Sequence, residues 1–250
     1  MASLLIGPML RYVSDGEATI WLEADAGCTV EVLGCRTETF QVNGRHYAIV
    51  AITGLTAGSC VEYEVLLDGV RCWPEPDSAL PPSRIRTLPQ SGPVELVFGS
   101  CRVTRPHHAP YTLSPDDHEL GVGVDALNAL AVRMQGQEAE SWPDMLLLLG
   151  DQVYGDEVSP QTAEFIRANR DVSKPPGLEV ADFEEYARLH REAWSRPDAA
   201  LAVRQGVQPA RTDPSRTNPW RGLRSGSSSA ASCRDVSGSA PRVARTAPAA

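Results

Sequence analysis

Residues 145–155, MLLLLGDQVYG, decide the fold predicted for this chain. Five consecutive apolar residues stand between Pro143 and Gly150, a run too short for an independent helix and typical of a strand buried on both faces. Gly150 allows the backbone to turn, and Asp151 and Tyr154 follow in the loop at the carboxyl edge, where open α/β sheets bind ligands. Two oxygen donors three residues apart indicate a hard metal ion.

A second apolar strand precedes this one in the chain. Residues 93–102, PVELVFGSCR, also end in a glycine and a potential ligand, Cys101. Apolar residues recur at helical spacing in the intervening residues 124–134. Strand, helix and strand make a βαβ unit, whose parallel strands end at the same edge of the sheet. We therefore expect Cys101, Asp151 and Tyr154 to converge.

A thiolate, a carboxylate and a phenolate at one edge favour a particular kind of metal site. Thiolate and phenolate donate charge, and with a bridging carboxylate they suit trivalent iron beside harder divalent ions. Such a site lowers the pKa of bound water and offers hydroxide to a phosphorus centre. Each residue also has a structural interpretation: Asp151 as a turn residue, Tyr154 as a capping aromatic and Cys101 as a small buried side chain.

Charge is distributed unevenly along the 250 residues, which have room for two domains. Residues 1–198 carry 30 acidic and 15 basic side chains, whereas residues 199–250 carry eight arginines and two aspartates. The acidic body argues against a nucleic-acid partner and is compatible with metal cations. Neither a signal peptide nor a membrane anchor is evident, and the six cysteines lack metal-site spacing, so we expect reduced thiols in a cytoplasmic protein.

The first 89 residues alternate polar and apolar side chains in short runs separated by Asp-Gly, Asn-Gly and Gly turns, a pattern that predicts a β-sandwich. Residues 52–65 resemble the glycine, leucine, turn and Tyr-x-Val corner of fibronectin type III-like domains. A proline-rich segment, residues 73–93, then predicts a stiff connector running along a surface. The second domain is expected over residues 93–198.

The rest of the chain predicts one long loop, two helices and a tail. Residues 102–123 form a long loop of a kind that is usually functional or disordered, and helices are expected from Ser159 to Arg170 and over residues 182–194. Residues 199–250 are dominated by Ala, Arg, Ser, Pro and Gly, so we expect a disordered basic tail without a third strand. This composition is also typical of GC-rich coding sequence read out of frame, which suggests a frameshift near residue 198.

Residues 98–102, FGSCR, and 149–154, LGDQVY, following an all-β domain, together resemble the PhoD-like alkaline phosphatases, a branch of the calcineurin-like metallophosphoesterases. The resemblance extends over about residues 6–194. It implies that Cys101, Asp151 and Tyr154 bind an active-site iron(III), with Asp151 bridging to calcium. The activity that it implies is hydrolysis of phosphomonoesters and phosphodiesters, either small molecules or polymers.

Two features depart from this family. Its members are often exported, whereas this sequence shows no export signal, and the family's later Asn/Asp/His ligand stretch has no counterpart here. Three ligands do not complete a binuclear site, so the sequence resembles an incomplete, truncated form of the enzyme and leaves its activity open. A β-sandwich binding module and an inactive pseudo-phosphatase are the alternatives.

Three further residues are candidates for contacting the substrate. Arg102 could bind a phosphate in bidentate fashion or lie at the surface. His107 and His108 are candidates as well, although their flanking prolines equally favour a surface turn. Neither the oligomeric state nor the physiological ester follows from the sequence, and no membrane partner is expected.

Overall fold

The computed structural model describes residues 1–76, 78 and 80–195, together with the backbone of residues 242–245. The amino-terminal region is almost entirely β-structure. Its ten strands are β1 Leu4–Val13, β2 Glu17–Ala24, β3 Thr29–Val32, β4 Cys35–Glu38, β5 Phe40–Val42, β6 Arg45–Thr53, β7 Cys60–Glu62, β8 Val65–Leu67, β9 Val70–Trp73 and β10 Arg84–Arg86. No helix in the described residues combines the length and apolar character that crossing a membrane requires.

Two antiparallel sheets face each other in this region. One has the strand order β1-β2-β6-β5 and the other β4-β3-β8-β9, and buried side chains from both form a single core. The expected two-layer arrangement is therefore present, while its fibronectin III-like character stays a prediction. Strand β7 pairs instead with β10, so the segment predicted as one strand over residues 61–67 is divided between two sheets.

Three hairpins use two-residue turns in which both residues adopt positive φ. Asn43 and Asp68, with φ of 47° and 50°, occupy the first positions of the two turns that the sequence indicates. Leu33, with φ of 49°, occupies the same position between β3 and β4. Because leucine is not a typical turn residue, this hairpin was not predicted.

The proline-rich segment is not simply a surface connector, and that prediction was wrong. It contains β10, whose Ile85 is fully buried in the sandwich core. The buried Ser83 hydroxyl accepts a hydrogen bond from the indole nitrogen of Trp73 at 2.9 Å. Strand β10 is therefore the last strand of the sandwich. The predicted boundary at residues 89–93 falls just after this strand.

The second region contains the expected strand, helix and strand. Strands β11 Glu95–Gly99 and β12 Met145–Leu148 are parallel neighbours, and helix α1 Ala126–Gln135 connects them. A single turn of 3-10 helix, Ala139–Ser141, precedes β12, and helices α2 Pro160–Asn169 and α3 Phe183–Trp194 follow it. The caps Ser159 and Asp182 accept hydrogen bonds from the first turns of α2 and α3, which confirms both predicted helix starts.

Helix α1 covers one face of the strand pair. Its buried residues Leu127, Leu130 and Met134 share a core with Val97 and Leu146. The prediction that β12 is buried on both faces was wrong for the described structure. Leu147 and Leu148 are only half-buried, and Leu149, just after the strand, is 59% exposed.

A third strand contradicts part of the tail prediction. The backbone of β13, Arg242–Arg245, pairs antiparallel with β11 and gives the sheet order β12-β11-β13. The expectations that no third strand exists and that residues 242–245 are disordered were therefore wrong. The remainder of the predicted tail and the suggested frameshift position lie outside the described residues.

Buried contacts join the two regions. Ile6 and Met9 of β1 belong to the same core as α1 and Trp194. Helix α3 also contacts β2, through His190 against Trp21 and Arg191 against Glu23. Glu23, 2% exposed, accepts hydrogen bonds from Arg45 at 3.1 Å and Arg191 at 2.6 Å. The sandwich therefore forms part of the support for the α/β region.

An imidazole lies within this contact between the regions. The ring of His190 on α3 stands edge-on to that of Trp21, with centroids 6.3 Å apart. Burial lowers the pKa of His190 to about 4, while the Glu23 carboxylate acts in the opposite direction. His190 is therefore a neutral packing residue near neutral pH.

Candidate functional site

The loops that follow β11 and β12 are joined by backbone hydrogen bonds. The amide of Leu149 donates to Gly99 at 2.9 Å, that of Cys101 to Gly150 at 3.3 Å, and that of Arg102 to Asp151 at 2.9 Å. Backbone hydrogen bonds between the two segments thus continue for three residues beyond the paired strands. The sequence prediction that both loops share one edge is confirmed.

Cys101 and Asp151 lie together at this edge. The sulfur of Cys101 is 3.6 Å from Oδ2 of Asp151, and the hydroxyl of Ser100 donates to the same sulfur at 3.5 Å. Both side chains of the pair are exposed, so neither has the role of a core residue that the structural interpretation of Cys101 assumed. No ion pair links Asp151 to a cationic side chain within the described part of the chain.

Both residues hold an uncommon backbone conformation. The φ of Cys101 is 59° and that of Asp151 is 50°, in the left-handed region that costs most L-residues free energy, and Gly150 between β12 and Asp151 has a φ of 132°. Non-glycine residues in strained conformations concentrate at functional sites, where the surrounding structure holds them. Positive φ also occurs at Leu33, Asn43 and Asp68, but those residues lie in hairpin turns, whereas Cys101 and Asp151 lie in the loops that the sequence motifs single out.

Tyr154 is half-buried in the same loop, three residues after Asp151. Its role as a metal ligand stays a prediction. The contacts of His108 are local: its Nδ1 lies 2.8 Å from the carbonyl oxygen of Ala109, and its ring packs edge-on against Tyr111. His107 and His108 are both exposed, in keeping with a surface turn, and their contact with substrate also stays a prediction.

Arg102 does not lie at the surface, contrary to one of its two predicted roles. Only 7% of the residue is exposed, and its guanidinium forms a bidentate ion pair with Asp125. The same group donates to the carbonyl oxygen of Ala193 and stacks on the ring of Trp194. The donors of Arg102 are engaged inside the protein, and its contact with a substrate phosphate stays a prediction.

Asp125 is the residue that the sequence reasoning missed. It caps α1 by accepting hydrogen bonds from Leu127 at 3.0 Å and Asn128 at 3.4 Å, and the same carboxylate receives Arg102. An aspartate immediately before a helical apolar pattern is a recognisable cap signal. Nothing in that local signal indicates a partner 23 residues away.

The donor chemistry at the edge fits part of a metal site. A thiolate suits iron or zinc, and a carboxylate is accepted by these metals and by calcium. Two donors do not complete a coordination sphere, and within residues 1–76, 78 and 80–195 no three His, Cys, Asp or Glu side chains are grouped closely enough to hold an ion. The described residues thus provide a pair of ligands rather than a full set.

Comparison with known proteins gave three findings. A family model described as a domain of unknown function (DUF7800) matches residues 1–85, the β-sandwich. A search of curated proteins found no match. A solved structure titled "Structure of PhoD" is similar with a TM-score of 0.49 and 16% sequence identity, over 80% of this chain and 36% of that one.

This chain therefore spans about a third of the length of that structure. At this identity and overlap, the similarity does not by itself assign an activity to the chain.

Proposed function

We propose that this chain carries part of a metal-dependent phosphoester hydrolase centre of the PhoD type, with Cys101 and Asp151 as metal ligands. The observation that supports it best is the 3.6 Å separation of the Cys101 sulfur and the Asp151 carboxylate at the carboxyl edge of two parallel strands. A metal cation that takes the place of the thiol proton between these two groups would be bound by the sulfur and the carboxylate together.

The two ligands have distinct roles in this proposal. Cys101 would hold iron through its soft sulfur, and Asp151 would supply carboxylate oxygens that both iron and calcium accept, as the family resemblance implies. Tyr154 is proposed as a further donor from the same loop. When bound, such metals act as Lewis acids toward a phosphoryl oxygen and provide hydroxide near neutral pH.

The backbone holds the two proposed ligands in position in the metal-free protein. Hydrogen bonds between the two loops hold both strained residues, so little reorganisation accompanies binding. Both side chains are exposed, and an open edge admits a small phosphoester as well as a phosphodiester polymer. Hydrolysis of either class is therefore consistent with the proposal.

Metal analysis tests the proposal most directly. The purified protein is loaded with iron(II/III), zinc or calcium, and the metal content is compared for wild type, Asp151→Asn and Cys101→Ser. We expect each substitution to weaken binding by more than about 100-fold, because even residues behind a ligand change metal affinity by about 10- to 100-fold. Hydrolysis of p-nitrophenyl phosphate and of its bis-ester is measured on the same samples.

Asp68→Asn is a matched control. Asp68 is also an exposed aspartate with a φ of 50°, and the oxygen of an asparagine can still accept the hydrogen bond that Asp68 receives from the amide of Thr29. We expect this variant to bind metal like wild type. Metal binding without turnover would reject the hydrolase activity but keep the metal centre. Neither binding nor turnover would reject the metal centre and favour the inactive pseudo-phosphatase or the β-sandwich binding module.

A further inference from the structure

The guanidinium of Arg102 joins three separate elements of the α/β region. Its Nε lies 3.1 Å from both carboxylate oxygens of Asp125, and its Nη2 lies 3.0 Å from Oδ2. Nη1 and Nη2 each donate to the carbonyl oxygen of Ala193, near the end of α3, at 3.3 Å. The face of the guanidinium stacks on the Trp194 ring, 4.9 Å from its centroid.

These contacts leave the side chain little freedom. A buried guanidinium is costly unless it is paired and its donors are satisfied, so the pair is held only in a narrow range of geometries. Asp125 is fixed in turn by capping α1, with the amide of Leu127 at 3.0 Å. Arg102 therefore anchors its own loop to the start of one helix and the end of another.

The anchored loop includes Cys101. The amide of Arg102 donates to the carbonyl oxygen of Asp151 at 2.9 Å, and Cys101, the preceding residue, has a φ of 59°. Without an anchor, a cysteine in this conformation would lower its free energy by returning to negative φ. That change would reorient its side chain. The Cys101 side chain is exposed, so its own packing does not prevent that change.

We propose that Arg102 is a positioning residue: its buried ion pair with Asp125 holds Cys101 in the left-handed conformation that keeps the sulfur beside Asp151. The consequence for metal affinity rests on the proposed function. The consequence for the loop does not, since it concerns the protein without metal. The two parts are therefore testable separately.

The chain contains a matched control at the opposite end of the same strands. Arg86 forms a part-buried ion pair with Asp144 at 3.1 Å and donates to the carbonyl oxygen of Trp142 at 2.9 Å. This pair also joins an arginine to an aspartate and a backbone carbonyl, but it lies before β12 rather than after it. Arg86→Met thus removes a similar set of interactions without touching the loops of the site.

The first readout is hydrogen exchange of the metal-free protein at the amides of Cys101 and Arg102, measured well below the melting temperature. We expect Arg102→Met to accelerate exchange at both amides by about tenfold or more, because local opening becomes easier when the anchor is lost. Asp125→Asn keeps a good helix cap but removes the charge, and should give a smaller acceleration of the same kind. Arg102→Lys should restore part of the protection, since lysine keeps the charge without the bidentate geometry.

The second readout is the thiolate-to-metal charge-transfer absorption during titration with Co²⁺. We expect Arg102→Met to weaken Co²⁺ binding by about 10- to 100-fold, with Arg102→Lys intermediate. Arg86→Met should lower the melting temperature but leave both the exchange of these amides and the Co²⁺ affinity at wild-type values.

The proposal is overturned if Arg102→Met leaves the Cys101 amide as protected as in wild type. It is overturned equally if Arg86→Met accelerates exchange there to the same extent, because the effect would then reflect general stability. A wild-type protein that binds no Co²⁺ would reject the proposed function instead, and the exchange measurement would still decide whether Arg102 positions the loop.

Discussion

The two ends of the parallel strand pair, β11 and β12, differ in what their aspartates do. At the amino end, the Asp144 carboxylate is fully engaged: it accepts from Arg86 at 3.1 Å and from the amide of Glu95 at 2.9 Å. At the carboxyl end, Asp151 is exposed, strained and accompanied by a thiol. One end thus uses its charges to join the two regions, and the other presents them to solvent.

The two ends of this small sheet therefore have different roles: one stabilises the fold and the other presents candidate ligands. Charge paired with an opposite charge inside the protein contributes to stability, whereas the exposed Asp151 carboxylate has no ion-pair partner among the described residues and is accessible to a ligand. The carboxyl end also has a buried ion pair, Arg102 and Asp125. In our proposal this pair lies beneath the loop and holds the exposed Cys101 beside Asp151.

The largest effect on stability is expected from Asp144→Ala. It should lower the free energy of unfolding by about 3 kcal/mol, because Arg86 loses its partner and the Glu95 amide loses its acceptor in a part-buried position. Asp151→Asn should change the same quantity by less than about 0.5 kcal/mol. Chemical denaturation of both variants measures the contrast, and equal losses at the two ends would contradict it.

Acid should act on the contact between α3 and the sandwich. The folded-state pKa of His190 is about 4, below its ordinary value of about 6.5, so the unfolded chain binds more protons between these values. Stability is fully present above about pH 6.5 and is lost as the pH falls toward 4, by about 2 kcal/mol between about pH 7.5 and about pH 5.

Denaturation of wild type and His190→Gln at the two pH values isolates this effect. The variant should lose the part of the pH dependence that His190 contributes, although both proteins keep the response of their carboxylates.

Because α3 ends beside Arg102, hydrogen exchange at the Arg102 amide of wild type should also become faster in acid than the intrinsic pH dependence predicts. An identical slope in the two proteins would show that His190 is not the group that titrates.

The smallest effect is expected from removing backbone strain. Cys101→Gly should raise the free energy of unfolding by about 0.5 kcal/mol, because glycine accepts positive φ at no steric cost but loses more freedom on folding. Leu33→Gly, at a φ of 49° in a sandwich hairpin, should give a similar gain. Metal binding should be lost in the first variant and kept in the second, and a destabilised Cys101→Gly would contradict the assignment of strain.

Local patterns explain most of what could be predicted from the sequence. The caps Ser159 and Asp182 and the apolar spacing of α1 each involve residues within a few positions of one another, so the sequence carries the whole signal. The parallel strands and their shared edge followed from the order strand, helix, strand. The convergence of Cys101 and Asp151 followed from that edge.

The errors arose where distant parts of the chain compete for a segment. Residues 61–67 alternate like one strand, but two different neighbours divide them between sheets. Ile85 lies in a proline-rich segment that looks like a connector, yet the sandwich core buries it. Strand β13 has a tail-like composition, and only its pairing with β11 shows it to be a strand.

The sequence by itself determined the helices, the strand pair and the identity of the two candidate ligands, because spacing and end signals act over a few residues. Only the tertiary structure decided the position of Arg102, whose partners Asp125 and Ala193 are 23 and 91 residues away. The partner of a buried charge is a residue that the folded core places nearby. Local sequence patterns do not indicate that residue when it is distant in the chain.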